Sequence, residues 1–218
     1  MDIVIFGLGQ RSRQAWYHFT HDSPHRVVAF TVDAAFRGVD RFEGLPVEPF
    51  ETLVERLPPG EFAMAVPLSY RELSATRVRK YGEAKAKGYG FVSYVSSTAR
   101  VAGNVHIGEN CYIDAGAIVQ PFCRIEDNCT VAPGAVIAHD TTIGRHGYVA
   151  AGAVIGGGAS IGERCVLALN STVLNGLRVA PRCLIGAGAV LVSDTEEDGV
   201  YVGVPARRLA RPATAYVE

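Results

Sequence analysis

The sequence predicts a two-part fold: an α/β domain with a small parallel sheet over residues 1–92, followed by a parallel β-helix over residues 93–218. Three observations carry that prediction. The first part alternates strand-like and helical runs, the second repeats an aliphatic residue at every sixth position, and the 48% apolar content suits a chain that buries a real core.

The first strand is IVIFG, followed by a helix through RQAWYHF and a second strand, VVAFTVD. A stretch punctuated by proline and glycine leads to FAMAVP, then to the helical run RELSATRVRKYGEAKAKG and a last extended run, FVSYV. Strands alternating with helices indicate βαβ units and a parallel sheet. At this length the domain is half of a full dinucleotide-binding fold.

Gly7-Leu8-Gly9-Gln10-Arg11-Ser12 follows the first strand and opens the first helix, where a glycine turn can present a helix N-terminus to phosphate. Asp33 ends the second strand, where a ribose-binding acid would lie. Gly7, Gly9, Gln10, Arg11 and Asp33 are therefore candidates for nucleotide or sugar binding. Ser12 stands at the third glycine position of the G-x-G-x-x-G fingerprint, so a tight βα turn without a ligand is the alternative.

From Val95 the pattern changes. Val95, Val101, Ile107, Ile113, Val119, Ile125, Val131, Ile137, Ile143, Val149, Ile155, Ile161, Leu167, Val173, Val179, Ile185 and Leu191 are spaced by six without a miss, and glycine commonly follows. That period belongs to a parallel β-helix of hexapeptide repeats, three hexads to a triangular coil, with coils stacked about 4.8 Å apart. Cys111, Cys123, Cys129, Cys165 and Cys183 all fall four residues after a repeat aliphatic, a slot otherwise held by residues such as Ala117, Ala135 and Ala153. They read as small buried hydrophobes rather than as catalytic or disulfide-forming thiols.

Residues eighteen apart stack along such a prism. In IAHDTTIG, residues 137–144, His139 therefore lies above Pro121 and below Gly157, and Asp140 lies above Phe122 and below Gly158; Asn175 and Gly176 come next. The run Gly156-Gly157-Gly158 offers bare backbone beside the histidine, with room for a ligand and access to N–H groups. An imidazole titrates near neutrality and can take a proton from an attacking amine or hydroxyl, and a neighbouring carboxylate can fix its tautomer. Asp140 either orients His139 or faces solvent or substrate. The bland alternative is that His139 is a solvated corner residue.

The remaining histidines offer less. His18, His21 and His25 lie at the end of the first helix and its following turn, while His106 and His146 are out of step with His139. A metal site like that of the γ-type carbonic anhydrases needs His-x4-His and a third histidine on another coil, a spacing this sequence lacks, so no metal is expected.

The formal charge of -1, with acids and bases interspersed, gives no electrostatic footprint for nucleic acid. MDIVIFGLGQ lacks a basic leader and no run of about 18 apolar residues occurs, which predicts a cytoplasmic protein without membrane insertion.

With a half-size α/β domain, hexapeptide repeats, Ile137-Ala138-His139-Asp140 and a closing GVPARRL, the chain resembles the hexapeptide-repeat sugar acyltransferases related to sialic-acid O-acetyltransferases and to bacillosamine- and perosamine-type N-acetyltransferases. The resemblance implies a left-handed coil and a homotrimer. It implies acetyl-CoA as acyl donor, a sugar or nucleotide-sugar acceptor used in surface-polysaccharide (lipopolysaccharide O-antigen) synthesis, and His139 as general base with Asp140 beside it. By matching positions it places acetyl-CoA on Tyr148, Gly157, Leu169, Ala187, Val204 and Pro205, with Arg207 and Arg208 available to the CoA phosphates. This chain differs in having Tyr148 where relatives commonly carry a second histidine, and Gly7-Leu8-Gly9-Gln10-Arg11-Ser12 where a G-x-G-G-H turn is common. A non-catalytic β-helix trimer scaffold with a regulatory nucleotide-binding domain is the alternative; a nicotinamide-dependent enzyme is disfavoured by the missing third glycine.

Overall fold

A computed structural model describes residues 1–216 as two compact units, residues 1–69 with 76–94 and residues 70–75 with 95–216. Among the described residues no helix is long and apolar enough to cross a membrane.

The first unit contains strands β1 (Asp2–Phe6), β2 (Arg26–Val32), β3 (Arg41–Phe42), β4 (Leu45–Pro49) and β5 (Phe62–Ala65), ordered β3-β4-β2-β1-β5. All pairings are parallel except the β3–β4 hairpin, which lies in the stretch punctuated by proline and glycine. Ile3, Val4 and Ile5 are fully buried, as expected of a central parallel strand covered on both faces. Helix α1 (Gln10–His21) buries Ser12, Ala15 and Phe19, residues whose spacing places them on one helical face.

A short α2 (Leu53–Arg56) and a longer α3 (Arg71–Ala86) complete the helices. The sequence predicts an uninterrupted helix through RELSATRVRKYGEAKAKG, but Glu72, Leu73 and Ser74 are left-handed, with φ of 52°, 49° and 64°. In the second unit this turn is held from outside: Arg164 Nε donates to the Leu73 carbonyl at 3.1 Å and Arg164 Nη2 to the Glu72 carbonyl at 3.4 Å, while Leu73 is fully buried. Burial and those bonds offset a conformation that costs a non-glycine residue about 1–2 kcal/mol.

The second unit is a left-handed parallel β-helix. Coil pairings advance by eighteen residues, as in Val119↔Ile137, Ile125↔Ile143 and Val131↔Val149, until the last, Leu184↔Val200, which advances by sixteen. Ile113, Val119, Ile125, Val131, Ile137, Ile143, Val149, Ile155, Ile161, Leu167, Val173, Val179, Ile185 and Leu191 form one buried core. Each such side chain contributes roughly 1.5–3 kcal/mol on burial. The two-residue strands turn at left-handed corner residues, glycine or asparagine at many of them (Asn110, Gly116, Asn128, Gly134, Gly152, Gly158, Asn170, Gly176, Gly188).

Corner chemistry also explains the cysteines. Cys111, Cys123, Cys129 and Cys165 each point an S–H at the carbonyl fifteen residues on, at 3.0–3.1 Å, and Cys183 does so to Glu196 at 3.0 Å. Thr141 makes the same bond to Gly156 at 3.0 Å. The slot selects a small buried residue, and a thiol or hydroxyl there additionally satisfies a carbonyl of the coil above.

The three faces differ outward. One presents His106, Arg124, Thr142, Ser160 and Arg178. A second presents Tyr148, Val166 and Val200, which pack with Leu73 and Ala213 of the same unit. The third presents Arg100 at its N-terminal end and then Ile118, Val136, Val154, Thr172 and Val190, of which Arg100, Ile118 and Val154 are exposed.

Candidate functional site

His139 sits where the apolar third face meets the polar first face, between the strands Val136–Ile137 and Thr142–Ile143. The register that buries Ile137 and Ile143 leaves the two residues between them outside the core. Asp140 takes the left-handed corner, φ 57°, a conformation aspartate tolerates better than most residues. That turn aims its carboxylate back at its neighbour: His139 Nδ1 lies 2.8 Å from Asp140 Oδ2, and both side chains are more than half exposed, at 63% and 61%. With Nδ1 donating to the carboxylate, Nε2 carries the lone pair that accepts a proton.

Both neighbouring coils brace this pair. The His139 backbone N–H donates to Gln120 Oε1 at 3.1 Å, the Asp140 N–H to the Pro121 carbonyl at 3.2 Å, and the Gly158 N–H to the His139 carbonyl at 2.8 Å. A Cβ on Gly157 would stand 2.7 Å from His139 Nε2 and 2.8 Å from Cε1. The imidazole therefore lies over the bare Gly157 backbone.

This corrects the expectation of open space at Gly156 and Gly157 and of accessible N–H groups along the run, while Gly158 is exposed with nothing within 4 Å of where a Cβ would be. The imidazole fills the space over Gly157, and the Asn175 carboxamide covers Gly156, where a Cβ would stand 2.3 Å from its Oδ1. Each amide of the run is engaged: Gly156 N–H with the Val173 carbonyl at 2.9 Å, Gly157 N–H with Asn175 Oδ1 at 3.0 Å, and Gly158 N–H with His139. Gln120 and Asn175 are the residues sequence reasoning left without a role. Asn175 follows Gly157 in the His139 column, but the direction of its side chain is a matter of rotamer and not of period.

The other candidates fall into separate groups. Leu169 and Ala187 are exposed and stacked one coil apart, with the Gly188 N–H bonded to the Leu169 carbonyl at 2.9 Å; they line the opposite edge of the apolar face from His139. Tyr148 is buried on the second face, its ring 4.7 Å from that of Tyr70. Val204 is exposed before Pro205 in the C-terminal hairpin, where Arg207 pairs with Val202 and Arg208 with Tyr201. Arg208 is ion-paired with Glu196.

In the first unit, Gly7 takes φ 101° and its N–H bonds the Thr31 carbonyl at 2.7 Å, while Ser12 Oγ donates to the Phe6 carbonyl at 3.0 Å. Ser12 thus ties the turn at the third-glycine position, and a Cβ on Gly7 would meet its Oγ at 2.6 Å. Gly9 caps α1 from an extended backbone, Gln10 is exposed, and Arg11 Nη1 donates to Gln14 Oε1 at 2.6 Å. Asp33 accepts a 2.6 Å bond from Lys80 Nζ. Lys80 is itself buried, bonds Glu83 at 2.6 Å, and lies 5.5 and 5.3 Å from the centres of the Phe6 and Phe50 rings. Burial tends to raise the Glu83 carboxyl, but its bonds with Lys80 and Arg79 outweigh this and hold it below the usual carboxylate range.

Residues 104–139 and 122–157 match the family of bacterial transferase hexapeptide repeats. Residues 104–157 thus carry that family's repeat. No curated protein sequence matches the chain. Among solved structures it is similar to PerB from Caulobacter crescentus, in complex with CoA and GDP-perosamine, at 24% identity and a TM-score of 0.85 over 96% of this chain and 98% of that one. It is similar to the acetyltransferase domain of PglB from Neisseria gonorrhoeae in complex with acetyl coenzyme A, at 22% identity and 0.83 over 95% and 98%. WeeI from Acinetobacter baumannii aligns at 16% identity and 0.54, over 96% and 100%. The arrangement of an α/β unit and hexapeptide coil is therefore shared along nearly the full length of the chain.

Proposed function

We propose that the protein is an acetyl-CoA-dependent acetyltransferase acting on an amino or hydroxyl group of a nucleotide-linked sugar. One observation carries the reading: an exposed imidazole, fixed by a carboxylate on Nδ1 and by a glycine bed under Nε2, on a hexapeptide coil. His139 Nε2 takes the acceptor's proton as its nitrogen or oxygen attacks the thioester carbonyl carbon. The tetrahedral oxyanion then collapses, the carbon–sulfur bond breaks, and the CoA thiolate receives the proton from the imidazolium. Asp140 stabilises that imidazolium. CoA or acetyl-CoA in the structures of PerB and PglB supports the donor, and GDP-perosamine in PerB supports the acceptor class.

The donor site needs a second chain. His139 with Gly157 and Leu169 with Ala187 lie on opposite edges of the apolar face, so one chain cannot wrap both around a single ligand. Packing that face against a neighbour in a homotrimer buries Ile118 and Val154 and brings one subunit's His139 edge toward the next subunit's Leu169 edge, with Val204, Pro205, Arg207 and Arg208 near the CoA tail. Gly7, Gly9, Gln10 and Arg11 form the nucleotide side, and Asp33 acts there through its Lys80 pair. Such an enzyme would work in the cytoplasm, supplying acetylated sugars for lipopolysaccharide O-antigen.

Thermal shift with acetyl-CoA, NAD and a panel of UDP-, GDP- and dTDP-sugars tests the reading. Acetyl-CoA at about 100 times its Kd should stabilise by about 2.7 kcal/mol, a rise of roughly 5–10 °C for a chain of this length. Stabilisation by nucleotides alone, or by NAD, would count against acyl transfer.

A further inference from the structure

We propose that Asn175 is a catalytic residue, the side-chain donor of the oxyanion site, and that its present bond to Gly157 marks the place of the acyl oxygen. The inference rests on the acetyltransferase reading above. Two side chains converge on the Gly156–Gly157 backbone from opposite coils: His139 from below, its Nε2 2.7 Å from where a Gly157 Cβ would be, and Asn175 from above, its Oδ1 accepting the Gly157 N–H at 3.0 Å. The position that Oδ1 occupies is thus within hydrogen-bond distance of a backbone donor and beside the base.

A carbonyl oxygen drawn to that N–H must displace Oδ1. Among the three amides of the glycine run, Gly156 and Gly158 hold main-chain carbonyls as part of the coil ladder, whereas Gly157 holds an exchangeable side chain. A carboxamide is two-sided: swung aside about its first torsion to clear that place and turned about its last, it offers the Nδ2 donors instead of the Oδ1 acceptor. When the acceptor attacks, the carbonyl π electrons move onto oxygen. Gly157 N–H and Asn175 Nδ2 then both donate to the oxyanion until it re-forms the carbonyl and expels thiolate. The glycine at 156 is what lets the carboxamide lie this close, since any Cβ there would overlap it.

Steady-state kinetics of Asn175→Ala and Asn175→Asp, with acetyl-CoA and an accepted amino or hydroxy nucleotide sugar, test this. Loss of one oxyanion donor should lower kcat by about 10²-fold in Asn175→Ala, with the acetyl-CoA KM within about threefold of wild type. Asn175→Asp keeps the shape and the acceptor for Gly157 but places negative charge against the oxyanion, so its kcat should fall below that of Asn175→Ala. A merely structural role would give the opposite order, because the aspartate would still hold Gly157. Wild-type kcat in either variant overturns the proposal. Wild-type protein that binds acetyl-CoA and turns over, with Asn175→Asp more active than Asn175→Ala, overturns this role alone; wild-type protein without acetyl-CoA turnover removes the acetyltransferase reading and this role together.

Discussion

His139 depends on what is missing opposite it. Gly157 needs no left-handed backbone, so an alanine there is conformationally allowed, but its Cβ would stand 2.7 Å from Nε2. The imidazole is exposed and can turn outward from the overlap at the expense of its bond to Asp140, so Gly157→Ala should cost little stability, within about 0.5 kcal/mol by differential scanning fluorimetry. Activity should fall by 10-fold or more, since general-base catalysis of about 10²–10⁴-fold is lost when the base leaves its position. Unchanged kcat would show that the ring's seat over Gly157 is immaterial. His139, Asp140 and Gly157 were legible in the sequence because an eighteen-residue coil makes neighbours arithmetic. The Nδ1–carboxylate contact was one of the readings open for Asp140, decided by the left-handed turn there, whereas the reaches of Gln120 and Asn175 were not legible, because they are side-chain torsions.

At the scale of the element, the hexapeptide period foretold the coil because its strands pair with their equivalents eighteen residues away, so one local pattern determines register until the period ends after Leu191, where Leu184 pairs with Val200 at a spacing of sixteen. The left-handed turn in α3 escaped prediction because its cause, Arg164, lies some 90 residues downstream. Near the C-terminal end of the coil, Arg182 holds Asp198 bidentately at 2.7 and 3.1 Å and bonds Glu197 at 2.8 Å. The Arg182 hydrogen bonds foremost, with the Arg182 and Arg164 charges, keep the Asp198 carboxyl below its ordinary range against a smaller opposing effect of burial. A carboxyl whose folded-state pKa is depressed stabilises the fold above its unfolded pKa, about 3.9, and loses that contribution as pH falls through the folded value. Asp198→Asn should therefore lower stability at pH 7 by less than about 1 kcal/mol for a pair this exposed, and the difference should shrink as pH falls below the ordinary carboxylate range and vanish once the folded-state carboxyl is protonated. A pH-independent difference would assign the effect to packing instead.

For the whole molecule, the three faces of the coil have three fates. The polar face suits solvent, the second is packed with Leu73 and Ala213, and the apolar third face, with Ile118 and Val154 exposed, is the one that proposed trimer contacts would cover. Val154→Lys places a charge at its centre, and desolvating an unpaired charge costs several kcal/mol. Sedimentation should then show dissociation from trimer to monomer, with acetyl-CoA stabilisation lost as well; a variant that sediments as wild type would place the interface elsewhere. This grouping was legible only in part, since the period identifies which residues point outward but not which face the chain itself covers. Acyl transfer through one histidine is tested most directly by measuring acetyl-CoA-dependent thiol release with a nucleotide-sugar panel, for wild type and His139→Ala side by side. Turnover in the wild type and a loss of about 10²–10⁴-fold in the variant, at unchanged Tm and sedimentation, is expected; near-normal turnover in His139→Ala would contradict it.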